Sequence, residues 1–239
     1  MIRIRCSSLG EIMGNAKSID AEYLTDEIAT ISRKKIKTDE EKALIKELLD
    51  KSLSSGAKTH AYKLAKEFAM GYRKVVYSKP MDKGTRCEQD SIDLLNCVWF
   101  TDYQKNIVRD NNDFLTGECD IDTGEMIIDI KSSWDLDTFP ATSEAAHDSG
   151  YEWQLRGYML LRNRDKAKLV FCLVDTPEDL INYEQEDLHY VSERTPESRI
   201  TVVTYARDLE LEALIEIKCK AAIKEVLRVI KQIEIEHNY

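Results

Sequence analysis

One short stretch constrains this chain more than any other. Residues 125–132 read Glu-Met-Ile-Ile-Asp-Ile-Lys-Ser, and the inner run 126–131 is apolar apart from Asp129 and Lys131. Side chains alternate along a strand, so Asp129 and Lys131 share one face while Ile128 and Ile130 share the other. A strand of this kind must sit in a sheet with Ile128 and Ile130 against a core. Its charged pair then lies on a face that apolar neighbours surround. The turn signal Asp122-Thr123-Gly124 precedes it, so a hairpin brings Asp120 alongside. Two carboxylates and an ammonium converge.

The surrounding chain predicts the layers that carry such a strand. The first ten residues read as a short strand or arm ending in the polar turn Cys6–Gly10. A helix is expected over about 20–35. Thr38 and Glu41 form a capping box ahead of the run Ala43, Leu44, Ile45, Leu48, Leu49 and Leu53. A further helix follows at about 57–72. Lys79-Pro80 breaks the chain, and one helix is read from Met81 to Phe100. Residues 103–109, 113–121 and 125–132 read as three consecutive antiparallel strands, and 135–150 as a loop. Beyond it come a helix over 151–163, a strand over 168–174, a helix near 178–191, a strand near 200–204 and a final helix over about 207–236. This order predicts an α/β (α+β) fold, a small central mixed sheet flanked by helices, in a single domain spanning 1–239. A helical part over about 1–100 and a catalytic sheet core over about 103–175 precede a helical C-terminal part.

Composition removes several classes of function. With 9 Gly and 4 Pro in 239 residues, extended linkers and collagen-like repeats are excluded. No run reaches the roughly 18 apolar residues that a membrane span needs. The opening Met1–Cys6 lacks the apolar core of a signal peptide, so a cytoplasmic protein is expected. The six cysteines are scattered, which predicts reduced thiols and no clustered ligands for zinc or iron–sulfur. The net charge of −10 divides unevenly, with +6 over residues 1–86 and −16 over 87–239. An acidic total argues against general nucleic-acid affinity, but phosphate contacts need only a local basic surface. Two basic runs offer one: Arg33, Lys34, Lys35 and Lys37, and then Arg73, Lys74, Lys79, Lys83 and Arg86.

An Asp–Lys pair two apart on a strand is ordinarily a surface ion pair of little energetic weight. Asp120 on the partner strand adds a second reading, a hard-cation site. Mg²⁺ takes carboxylate oxygens, a backbone carbonyl such as that of Ile130, and water. Lys131 would then stand where it could stabilise a pentacovalent phosphate or activate water. Glu88 lies on the preceding helix. Gln154 and Tyr158 stand at i and i+4 on one face of a later helix.

Taken in order, Glu88, Gly117-x-x-Asp120, Asp129-x-Lys131 and Gln154-x-x-x-Tyr158 resemble the PD-(D/E)xK nuclease superfamily. They are most similar to its lambda exonuclease, YqaJ-type viral recombinase branch. The opening Arg3-Ile4-Arg5-Cys6-Ser7-Ser8-Leu9-Gly10 resembles the Arg/Ser element of those phage enzymes. Two positions depart from the pattern: Asp129 stands where Glu is commoner, and no Pro precedes Asp120.

The resemblance spans about residues 1–175. It implies Mg²⁺-dependent phosphodiester hydrolysis, with Mn²⁺ as a substitute. Asp120 and Asp129 would be the principal metal ligands, with Glu88 direct or through water. Lys131 would act on water or the transition state. Gln154 would orient Lys131 or the DNA end, with Tyr158 beside it at the DNA. Arg5, Ser7 and Ser8 would hold a 5′-phosphate. The usual activity of the branch is 5′→3′ digestion of one strand at double-stranded DNA ends. The product passes to a single-strand annealing protein, and several relatives form homo-oligomeric, trimeric rings. The loop over 135–150, with Phe139, Pro140 and His147, would be ordered by substrate, without His147 as a base. A restriction-type endonuclease and a non-catalytic DNA-binding module are the alternative readings.

Overall fold

The computed structural model describes residues 1–237. The described chain forms two compact units. One comprises residues 1–74, 111–116 and the chain from 208 onward; the other comprises 75–110 and 117–207.

The first unit begins with β1 (Ile4–Arg5), which pairs in parallel with Leu115 and Thr116 and so joins a short sheet. The expected polar turn after it is helical: a 3₁₀ turn over Cys6–Ser8 runs into α1 (Leu9–Ile12), burying Cys6, Leu9 and Ile12. The helix expected over 20–35 starts later, as α2 (Asp26–Arg33), because Thr25 accepts from the Ile28 N–H and caps it there. In α3 (Asp39–Lys51) both halves of the Thr38/Glu41 capping box form. The helix expected from about 57 begins as α4 (Ser55–Ala69), whose N-cap is Ser54.

Ala61 and Ala65 of α4 meet Val226, Val229 and Ile233 from the last helix of the chain in a buried cluster. Small residues on α4 let large ones from its partner fill the seam. Lys218 of that last helix is buried, and its ammonium donates to the carbonyls of Leu49 at 3.2 Å and Ser52 at 2.7 Å. It adds a donor to carbonyls at the C-terminus of α3, where Leu49 also accepts from the Ser52 N–H at 3.1 Å.

The second unit opens with α5 (Lys79–Arg86) and α6 (Glu88–Trp99), where one helix was expected. Pro80 starts α5 instead of breaking the chain. It sits in the first turn, where a missing N–H costs nothing, and Ser78 caps it. Cys87, at φ −102° and ψ 14°, separates the two helices. The expected three-strand meander is also corrected. Residues 103–109 form no strand. Short strands follow: β2 (Asp110–Asn111), β3 (Leu115–Gly117) and β4 (Ile121–Asp122). β4 and β5 (Met126–Ser132) form an antiparallel hairpin, with Gly124 at φ +86° in its turn.

After β5 come α7 (Ser149–Arg162), β6 (Lys166–Cys172) and the one-turn α8 (Glu178–Ile181), much shorter than the helix expected near 178–191. β7 (Ile200–Ala206) completes a four-stranded mixed sheet in the order β4–β5–β6–β7, with β5 and β6 parallel. The connection through α7 makes this a βαβ unit. The chain then returns to the first unit as α9 (Leu209–His237).

Ile128, Ile130, Val170 and Cys172 pack with Ile92, Leu94 and Leu95 of α6, so α6 covers one face of the sheet. Polar contacts fix that packing. Ser91 and Ser132 hydroxyls meet at 2.8 Å, and the buried Lys83 of α5 donates to the carbonyls of Trp134 and Val174 at 2.8 Å each. Lys83 is therefore removed from the basic surface expected of it. Lys79 pairs with Glu184 and Arg86 with Asp179, so the rest of that run from α5 is also internally neutralised. None of the six cysteines is in a disulfide, and of the six Cys97 alone is exposed. No helix among the described residues is long and apolar enough to cross a membrane.

Candidate active site

The strand pattern places Asp129 and Lys131 on one face of β5, opposite the face that meets α6. Asp129 is 1% exposed. Lys131 Nζ lies 2.7 Å from Asp129 Oδ2 in an ion pair, outside hydrogen-bond geometry. Asp120 immediately precedes β4, and the hairpin register sets it opposite Asp129. One oxygen of Asp120 accepts from the Ile130 N–H at 2.6 Å. Asn106 holds this corner from the other side. Its backbone N–H donates to the Asp120 carbonyl at 2.6 Å and its side chain to the Cys119 carbonyl at 2.9 Å.

The electrostatics follow from that crowding. Burial, and after it the charge of Asp129, lift the Asp120 carboxyl well above the ordinary carboxylate range, and Glu88 adds to the effect. Burial works against the Lys131 ammonium, but Asp129 and Asp120 outweigh it and hold Lys131 above the ordinary lysine value. Two carboxylates share this pocket with one ammonium. The two carboxylates exceed the single ammonium by one charge, and an all-oxygen donor set suits Mg²⁺ or Mn²⁺. The residues present therefore fit a hard divalent metal.

Other expected residues fall around this pair. Glu88 is the first residue of α6 and pairs with Lys105. Gln154 is buried on α7, and its amide donates to Asp129 Oδ1 at 3.4 Å and to the Tyr158 hydroxyl at 2.9 Å. Its protein partner at the site is thus Asp129, where Lys131 or the DNA end was expected. Tyr158 is 6% exposed, so its hydroxyl supports Gln154 from within the core. The Ile130 backbone lies beside both aspartates.

Arg5, Ser7 and Ser8 belong to the first unit, in β1 and the 3₁₀ turn. Arg5 and Ser7 are exposed and Ser8 is half-buried. His147 faces Glu152 at 3.4 Å. The sequence reading passed over Tyr151, whose ring lies 4.7 Å from Lys131 Nζ. Tyr151, Gln154 and Tyr158 stand at i, i+3 and i+7 on α7, so helical spacing could have found it. Asn106 and Lys105 carried no such signal, because they act from irregular chain.

No model of a known protein family matches this chain, and neither does any curated protein. A solved structure does. A phage-related exonuclease from Haemophilus somnus 129PT is 31% identical, with 97% of this chain and 96% of that one covered at a TM-score of 0.79. The chain belongs to the phage-related exonucleases. An alkaline exonuclease from Laribacter hongkongensis is 12% identical, at a TM-score of 0.62 over 99% of this chain and 93% of that one. Its complex with dAMP matches at 0.61 and 13% identity. These two show that the phage-related exonuclease fold is shared where little of the sequence is.

Proposed function

We propose that this protein is a divalent-metal-dependent DNA exonuclease that digests one strand of linear duplex DNA from 5′ to 3′. The observation that carries the reading is the convergence of Asp120, Asp129 and Lys131 on one face of the sheet, in a chain of exonuclease family. Asp120, Asp129 and the Ile130 carbonyl would hold Mg²⁺, or Mn²⁺ in its place, with Glu88 direct or through water. Such an ion, when bound, polarises the scissile phosphate and lowers the pKa of water.

The chain's own groups supply the rest. Lys131 Nζ, freed from its pairing with Asp129, donates to the attacking water or to the phosphate oxygen that gains charge. Water oxygen then bonds to phosphorus as the bond to the leaving sugar oxygen breaks. Gln154 keeps Asp129 turned toward the reacting face, and Tyr158 fixes Gln154. Arg5, Ser7 and Ser8 form a pocket for a terminal 5′-phosphate through charge-assisted hydrogen bonds.

The family resemblance extends the proposal to a cytoplasmic role in phage-type recombination, with a ring-forming homo-oligomer and a single-strand annealing partner. End-labelled linear duplex, incubated with Mg²⁺ or with excess chelator, tests the core of it. Nucleotide release only with metal is expected. Closed circles cut as fast as linear duplex would transfer the reading to an endonuclease.

A further inference from the structure

Outside the carboxylate–lysine site, Asp135, Glu184 and His189 gather with one ligand atom each, all within 4.8 Å of one another. Asp135 follows β5, whereas Glu184 and His189 come from the chain after α8. No residue of the proposed hydrolytic set lies in either segment.

The hydrogen bonds around His189 place a proton on its inner nitrogen. Thr176 Oγ1 donates its only proton to the Trp134 carbonyl at 3.0 Å. Toward His189 Nδ1, 3.0 Å away, Thr176 Oγ1 must therefore accept, so Nδ1 carries the ring proton. In the neutral ring Nε2 is then a bare lone pair. His189 is 1% exposed, and Nε2 has no hydrogen-bond donor. What faces it, at 3.4 Å, is Glu184 Oε2, another lone pair. With the histidine nitrogen buried, these two acceptors do not lie against each other unless a proton or a metal cation lies between them.

The two carboxylates are tied down while keeping an oxygen available. Glu184 Oε1 takes Lys79 at 2.8 Å, and Oε2 takes one bond from the Trp134 indole at 3.0 Å. Asp135 Oδ1 takes the Thr138 N–H at 2.8 Å and hydroxyl at 2.6 Å, leaving Oδ2 without either. Tetrahedral ligands about 2.1 Å from an ion stand about 3.4 Å apart, the separation that Nε2 and Oε2 already have.

We propose that Asp135, Glu184 and His189 form a second metal site, for a borderline transition-metal dication such as Zn²⁺ or Co²⁺. The imidazole nitrogen separates it from the all-oxygen set around Asp120, since nitrogen favours these ions over Mg²⁺. Thr176 holds the ring by its Nδ1–H, as outer partners of metal-bound histidines do. Among the described residues three protein ligands converge, which would leave a tetrahedral ion one further position.

The test uses the full chain carrying Asp120→Asn and Asp129→Asn, so that the first set cannot bind. Equilibrium dialysis against Co²⁺ should find one ion per chain, with visible absorption from imidazole ligation that added Zn²⁺ displaces. Glu184→Gln and His189→Gln should each weaken binding at least about tenfold. Glu184 is exposed, so its variant should keep the fold, which circular dichroism checks. Absence of bound Co²⁺, or binding that neither substitution alters, would overturn the site. So would ¹⁵N spectra showing a doubly protonated His189 in Zn²⁺-saturated protein, because a proton would then occupy the gap.

Discussion

At the scale of single residues, the pair on β5 is where chemistry and packing separate most cleanly. Asp129 and Lys131 touch each other, Gln154 and Tyr151, whereas Ile128 and Ile130 beside them make the core. Asp129→Ala and Lys131→Ala should each lower nucleotide release by about 10²-fold or more, with little change in melting temperature. Loss of activity together with unfolding would assign these residues to structure instead. Both residues were legible in the sequence because strand alternation is a strict rule. Gln154's partner was not, because a period along α7 says which face a residue lies on but not which side chain it meets. The grouping of Asp135, Glu184 and His189 left no local trace at all, since their neighbourhood depends on how distant segments close.

At the scale of elements, capping chemistry set boundaries that apolar periodicity missed. Thr25 delays α2, and Ser78 with Pro80 begins α5 where a break was expected. The sheet was harder. Antiparallel neighbours were inferred from closeness in sequence, yet β5 pairs in parallel with β6 across α7. Residues 103–109 look like a strand because they alternate, but their backbone goes to Asn106-centred contacts in place of a ladder.

Lys83 ties α5 to the ends of β5 and β6, and it makes a pH-dependent prediction. Burial pushes its pKa down to about 8, against about 10.5 in an unfolded chain. Between those values the unfolded chain binds more protons, so this group's contribution to stability rises with pH. The neutral amine still has two N–H donors for its two carbonyls. Urea denaturation at pH 7 and pH 9.5 should show the wild type gaining stability relative to Lys83→Met. A gap that stays constant would mean the ammonium persists.

At the scale of the whole molecule, metal binding and recognition of the DNA end should be separable. Mg²⁺ or Mn²⁺ bound only by the folded chain raises the melting temperature with concentration, and Asp120→Asn should blunt that rise. A linear duplex with 5′-phosphates should be digested about 5- to 150-fold faster than one with 5′-hydroxyls, from about 1–3 kcal/mol of charge-assisted bonding. Arg5→Ala should erase the difference while retaining Mg²⁺ dependence. Equal rates on both ends would remove Arg5, Ser7 and Ser8 from end recognition.

The discontinuity of the first unit has its own consequence during synthesis. Lys218 reaches back across 166 residues to the Ser52 carbonyl, and the alanine face of α4 meets α9. While the ribosome adds the residues between, α3 lacks its buried ammonium and α4 shows bare alanines. The sheet unit, most of it drawn from one continuous stretch, has all its strands by residue 206. Assembly from the nascent chain therefore runs from the middle outward, and the helical unit closes last. Pulse-labelled hydrogen exchange on refolding chains should find amides of β5 and β6 protected before those of α4. The reverse order would mean that α4 and α9 find each other without waiting for the sheet.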